Sequence, residues 1–123
     1  MHSSYFFAIV DQMTKSDYLG NFELMVMLAL IRVGDGAYGV PISKEIEERS
    51  GRDAAIGSVY AALERLERKG LVTSEFGEPT AERGGRSKRH FWITAKGLRL
   101  VRETQRVLVK LWQGLPELQG GKA

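Results

Sequence analysis

The sequence contains no cysteine, which excludes disulfides, thiolate metal sites and thiol nucleophiles and is compatible with a reducing cytoplasm. Histidine is nearly as scarce: His2 and His90 are the only two in 123 residues, and no partner set of His, Asp or Glu accompanies His90 to make a metal site. Long apolar runs are missing too. The longest, residues 24–31, spans eight residues, against the roughly 18 needed to cross a bilayer. Residues 5–10 are apolar but short, with neither the basic flank nor the cleavage pattern of a secretion signal. No Gly-rich phosphate loop, serine nucleophile elbow or metal-binding histidine pair occurs, so an enzyme is not expected. Glu45, Glu47 and Glu48 read as solvated helix faces. These absences describe a soluble, cytoplasmic protein with no membrane partner, cofactor or metal.

What is present fits one compact domain with an appendage, since the length and the 43% hydrophobic content allow a core without staples. The formal net charge of +3 is weak evidence for an anionic partner, and its distribution says more. Residues 44–69 carry six basic and six acidic side chains, whereas residues 83–89 carry four basic ones and no acid.

Asn21 can cap a helix through Phe22, Met25, Val26, Ala29, Leu30 and Val33 that stops at Gly34. Leu24, Met27, Leu28 and Ile31 make it apolar nearly all round, so it needs cover on two sides, from its own domain and from a partner subunit. Pro41 suits the first turn of a second helix through Ile42, Ile46 and Arg49. A third helix over 55–69 turns Ile56, Val59, Leu63 and Leu66 inward and ends at Gly70. Residues 71–76 and 90–94 read as two strands of a hairpin, and the loop between them holds Pro79, Gly84 and Gly85. Thr94 can cap a last helix whose Leu98, Val101, Gln105, Leu108, Trp112 and Leu115 form a short heptad seam, with Leu111 beside it. The expected fold is mainly α with a small β-hairpin wing: a winged helix-turn-helix domain plus a carboxyl-terminal dimerisation helix. The expected boundaries are 1–18 for an amino-terminal extension, 19–94 for the winged domain, 95–117 for the dimerisation helix and 118–123 for a disordered tail.

A helix of this kind can enter a major groove, where its first turns meet base edges while cations and backbone N–H groups grip phosphates. The candidate DNA-contacting residues are Gly57, Ser58, Tyr60, Ala61 and Arg65 on the third helix, Lys44 on the second, and Arg83, Arg86, Lys88 and Arg89 in and beside the loop. Gly57 and Ala61 are small enough to let the backbone approach, Ser58 and Tyr60 can donate to a phosphate or base, and Arg65 reaches either. Surface helices commonly show such faces and charge runs are commonly solvated loops. Here the basic run follows a three-helix unit at the place of a wing.

The ordered fragments Leu19-Gly20-Asn21-Phe22-Glu23, Tyr38-Gly39, Gly57-Ser58-Val59-Tyr60-Ala61-Ala62-Leu63, Leu66-Glu67-Arg68-Lys69-Gly70-Leu71-Val72, Gly85-Arg86 and Ile93-Thr94-Ala95-Lys96-Gly97 resemble the motifs of the PadR-like transcriptional regulators over about residues 19–100. The resemblance implies a winged-helix regulator that homodimerises through its last helix and binds a pseudo-palindromic operator on double-stranded DNA. It implies a repressor in most cases, one that a small aromatic effector can release. It places Ser58 and Tyr60 on the reading helix and Arg86, Lys88 and Arg89 on the wing. The chain departs from the family pattern at Ala55 and Ile56, where serine and proline are common, and at His90 and Phe91, where tyrosines are common.

Two readings stand for the first twelve residues: an extension or upstream start before Met13, or an amphipathic turn of Tyr5, Phe6, Ile9 and Val10 packed on the last helix. Trp112 at a heptad position reads first as dimer-interface core alongside Leu98, Val101, Leu108, Leu111 and Leu115, and second as a platform for a planar ligand. The alternative function is a winged-helix module that binds protein and not DNA.

Overall fold

The computed structural model describes residues 19–78 and 88–121. Helix α1, Asn21–Val33, starts one residue earlier than Asn21 capping would give. Gly20 holds the cap position, and Glu23 reaches back so that its Oε1 accepts from the Gly20 N–H at 3.2 Å. The helix stops at Gly34, whose N–H still bonds to the Leu30 carbonyl while its φ of 112° turns the chain away. Val26, Met27, Ala29 and Leu30 are buried, but Leu28 and Ile31 remain 44% and 41% exposed, so the second apolar face is uncovered in a single chain.

Helix α2, Gly39–Ser50, carries Pro41 in its first turn and sends Ile42, Ser43 and Ile46 inward. The turn into the next helix is held by α2 side chains. The Ser43 hydroxyl donates to the Ala54 carbonyl at 2.5 Å, and the Ala54 N–H donates to Glu47 Oε2 at 2.9 Å. Helix α3, Ile56–Arg68, then buries Val59, Ala62, Leu63 and Leu66, a stripe at spacings of three and four residues. Ile56, expected inside, is 42% exposed. It lies one turn ahead of that stripe, past the edge of the core, and Ala62 completes the buried face instead.

Strands β1, Val72–Phe76, and β2, Arg89–Ile93, pair antiparallel from Val72 with Ile93 to Phe76 with Arg89. On its other side β2 meets the loop before α2: the Phe91 N–H donates to the Ala37 carbonyl at 2.8 Å and the Gly36 N–H to the Phe91 carbonyl at 2.9 Å. Phe91 is therefore central and fully buried, in one core with Met27, Leu30, Ile42, Leu63, Leu66 and Leu71. Each such side chain contributes about 1.5–3 kcal/mol relative to exposure.

Helix α4, Ala95–Trp112, is capped by Thr94, whose Oγ1 accepts from the Gly97 N–H at 3.0 Å and donates to the Gly70 carbonyl at 2.8 Å. Gly97 lets the helix touch the chain before β1, since a Cβ at that position would run into the Leu71 carbonyl. Past Val101 the helix leaves the core. It is followed by a 3₁₀ helix, Pro116–Gly121, where a disordered tail from 118 was expected.

Candidate nucleic-acid interface

The outer surface of α3 divides along its length. Gly57, Ser58 and Ala61 are exposed on its first turns, and Ala55 at the cap position makes no side-chain bond to the helix start. Tyr60 is different from what its position on the helix suggests. Its ring is half-buried, tilted against Phe91 at 6.2 Å between centroids and lying where a Cβ on Gly39 would be, 2.6 Å from the ring atoms. The phenol is thus scaffold as well as surface, with only its hydroxyl free of partners among the described residues.

Further along, the helix is tied to α1 by ions. Glu23 is buried at the start of α1, with its Oε2 3.0 Å from Arg65 Nε and its Oε1 3.0 Å from Lys69 Nζ. Burial pushes this carboxyl up, but the hydrogen bonds from Lys69, Arg65 and the Gly20 N–H outweigh it and hold the group below the ordinary carboxylate range. Arg65 uses one edge of its guanidinium on Glu23 and keeps its terminal nitrogens without partners among the described residues. Lys44 on α2 is exposed and forms no ion pair among those residues.

The wing root is built on β2 and the residue before it. Lys88 Nζ sits 4.1 Å from the centre of the Tyr38 ring. Next to it, His90 Nδ1–H donates to the Gly36 carbonyl at 2.6 Å, fixing the hairpin to the loop before α2. Arg89, expected to hold a phosphate, points along the protein instead. Its Nε donates to Ser74 Oγ at 3.0 Å, Nη1 to Glu64 Oε2 at 3.3 Å and Nη2 to Glu67 Oε1 at 2.7 Å, and its side chain is 24% exposed. Arg83 and Arg86 lie outside the described residues. Of the expected contact residues, Gly57, Ser58, Ala61 and Arg65 share the exposed side of α3, Lys44 is exposed on α2 and Lys88 lies against Tyr38, while Tyr60 and Arg89 are turned partly or wholly to internal contacts.

Sequence reasoning missed the two acid-centred ties. Glu23 sits three residues after the Gly20 cap position, the spacing of a capping residue, so its role at the helix start was open to inference. Its bonds to Arg65 and Lys69 depend on tertiary approach and carry no local sign. The same holds for Glu64 and Glu67 with Arg89.

The far end of α4 makes a second exposed surface. Among the expected seam residues, Val101 is buried in its own domain and Leu98 half-buried, while Leu108, Leu111, Trp112 and Leu115 are 45%, 68%, 63% and 40% exposed. Between α1 and α4 runs a groove of about 590 Å³ lined by Leu24, Leu28, Val101, Leu108, Val109 and Trp112, together with Gln105 and Gln113.

Comparison with known proteins gives this arrangement its relatives. The model of the transcriptional regulator PadR-like family matches residues 27–103. The fold is similar to that of a PadR family transcriptional regulator from Eggerthella lenta, 25% identical, at a TM-score of 0.62 over 98% of this chain and 100% of the other. A transcriptional regulator from Clostridium thermocellum is also 25% identical, with a TM-score of 0.61 over 72% of this chain and 83% of its own. F93 from STIV, a winged-helix DNA-binding protein, shares 16% identity and, at a TM-score of 0.61 over 79% of this chain and 97% of its own, the fold. No curated protein matches the chain.

Proposed function

The chain belongs to the transcriptional regulator PadR-like family, a family of regulators and not enzymes, and from that premise we propose that this DNA-binding regulator is a homodimeric repressor of a pseudo-palindromic operator. The observation that carries the reading is the face where Gly57, Ser58 and Ala61 are exposed at the start of α3 while Arg65 offers its terminal nitrogens one turn beyond Ala61. Small residues let the helix backbone into a major groove, and the cations around it grip phosphates. In this reading Lys44 and Lys88 are further phosphate contacts, as are Arg83 and Arg86, which lie outside the described residues. Tyr60 contributes a hydroxyl from a ring fixed by Gly39 and Phe91.

Dimerisation is supported by the exposed apolar residues Leu28 and Ile31 of α1 and Leu108, Leu111, Trp112 and Leu115 of α4 and its end, which would be covered by a second copy. The groove between those helices is apolar and lined by Trp112, which supports a planar aromatic effector bound against the seam.

Binding to the region upstream of the chain's own gene tests the reading. The logarithm of the association constant should fall with the logarithm of salt by about 0.9 per phosphate contacted. Footprints should show half-sites about 34 Å apart. Replacing Arg83, Arg86 and Lys88 together by alanine should weaken all DNA binding, whereas changes at Ser58 or Ala61 should alter sequence preference. Undiminished affinity in the triple variant would refute the assignment of the wing. Leu111→Glu should yield a monomer in sedimentation; a dimer would refute the seam.

A further inference from the structure

The two acids of α3, Glu64 and Glu67, pose a problem for a surface that meets phosphates. Glu64 lies one turn beyond Tyr60 and Ala61, and its side chain is 53% exposed; Glu67 follows three residues later and is 33% exposed. Both are gathered by Arg89, and Glu67 also accepts the Ser74 hydroxyl from β1 at 2.9 Å. The guanidinium lies over the rings of Phe91 and Phe76, 5.2 Å and 5.8 Å from their centres, so its plane is held from the hairpin side as well.

Resting on the DNA-binding reading above, we propose that Arg89 is a positioning residue: it holds Glu64 and Glu67 back against the hairpin, away from the DNA phosphates, and contacts no phosphate itself. One guanidinium presents five donors in a fixed fork, and here each of its three nitrogens donates to a carboxylate or hydroxyl of the same chain. Releasing it would leave two carboxylates on flexible stems beside a phosphate backbone. For charges about 9 Å from a phosphate at near-aqueous screening, that repulsion corresponds to about a five- to tenfold loss of affinity.

The experiment measures binding of a labelled duplex from upstream of the chain's own gene, and of a mixed-sequence duplex, across a salt series. The proteins are wild type, Arg89→Gln, Glu64→Gln/Glu67→Gln, and the triple combination, each checked for folding by thermal melting. Arg89→Gln should bind about five- to tenfold more weakly, with a salt slope shallower than that of wild type by well under the roughly 0.9 of one lost phosphate contact. The triple variant should recover to within about twofold of wild type, and its neutral amides keep the cluster hydrogen-bonded if Arg89→Gln alone proves unstable. Because the carboxylates of the wild type are already held back, removing their charge should improve wild-type binding less than it improves Arg89→Gln. Neutralising the distant Glu103 and Glu117 should give no such recovery. A slope lower by about 0.9 in Arg89→Gln, or a triple variant no better than Arg89→Gln, would overturn the inference and make Arg89 a phosphate contact. Failure of the wild type to bind either duplex at low salt would overturn the DNA-binding reading itself, and this inference with it.

Discussion

Replacing Glu23 by glutamine separates the charge of the α1–α3 tie from its hydrogen bonding. The amide still accepts from the Gly20 N–H and from one cation, so the helix start survives while the charge is lost. The side chain of Glu23 is 8% exposed and that of Lys69 20%, whereas that of Arg65 is 45% exposed, so most of the electrostatic loss comes from the Lys69 side. Breaking a buried pair costs about 3–5 kcal/mol and an exposed one about 0.2–1 kcal/mol. This mixed site should fall between, at about 2 kcal/mol, which corresponds to a melting temperature lower by roughly 10 °C for a domain of this size. The carboxyl is held below its ordinary value of 4.5, so its stabilisation is fully present above that pH and is lost as pH falls through the lower, folded-state value. Urea titrations of both proteins from neutral to strongly acid pH check this. The gap should be flat above pH 4.5 and close below it. A glutamine variant within about 0.5 kcal/mol of wild type at neutral pH, or a gap that does not change with acid, would refute the reasoning.

Three further outcomes follow from close approaches and caps. Gly97→Ala should destabilise by about 1–3 kcal/mol in urea unfolding, because the new Cβ meets the Leu71 carbonyl; helix propensity alone would give the opposite sign, so a stabilised variant would disprove the contact. Tyr60→Phe should leave stability within about 0.5 kcal/mol, since its hydroxyl has no partner among the described residues, whereas Tyr60→Ala should lose about 2–3 kcal/mol with the ring. Thr94→Ala should cost about 1 kcal/mol by removing the α4 cap, read as a lower urea midpoint at unchanged slope.

The order of elements was legible because each carries a local signal. Gly34, Gly51 and Gly70 terminate helices in conformations with positive φ, Pro41 sits in a first turn, and Thr94 caps α4 as its sequence position suggested. The winged fold followed from those signals in order, whereas the family rested on the resemblance of the ordered fragments between residues 19 and 100. Less legible was which side chains face outward near an element's end. Ile56 shares the helical spacing of Val59 and Leu63, yet the core does not extend that far, and periodicity contains no information about where a neighbouring helix stops. Tyr60 was read as surface from its helix position, but the absence of a side chain at Gly39 draws its ring down. The basic residues were hardest. Lys88 and Arg89 are adjacent and equally charged, and only the three-dimensional placement of Ser74, Glu64 and Glu67 separates a cation over a tyrosine ring from one enclosed by acids.

The same placement bears on how a signal at α4 would reach the reading helix. The hairpin is anchored at three places: Arg89 to α3, His90 and Phe91 to the loop before α2, and Gly97 with Thr94 to the residues that link α3 to β1. The base of α4 is thus fixed directly against the end of α3, through the Thr94 bond to the Gly70 carbonyl and the bond from Lys96 Nζ to the Lys69 carbonyl at 3.1 Å. Beyond Val101, Thr104 is half-buried and every other described residue of α4 is exposed. In the proposed dimer, a ligand in the groove between α1 and α4 would therefore change the crossing of two helices whose bases are hydrogen-bonded to the ends of the α3 helices. If the proposed dimer forms, a change in that crossing would become a change in the separation of the two α3 helices, with each winged domain keeping its own structure. Under the proposed function, operator affinity would depend on that separation matching one helical turn of DNA, so release would need no rearrangement at Gly57, Ser58 or Arg65.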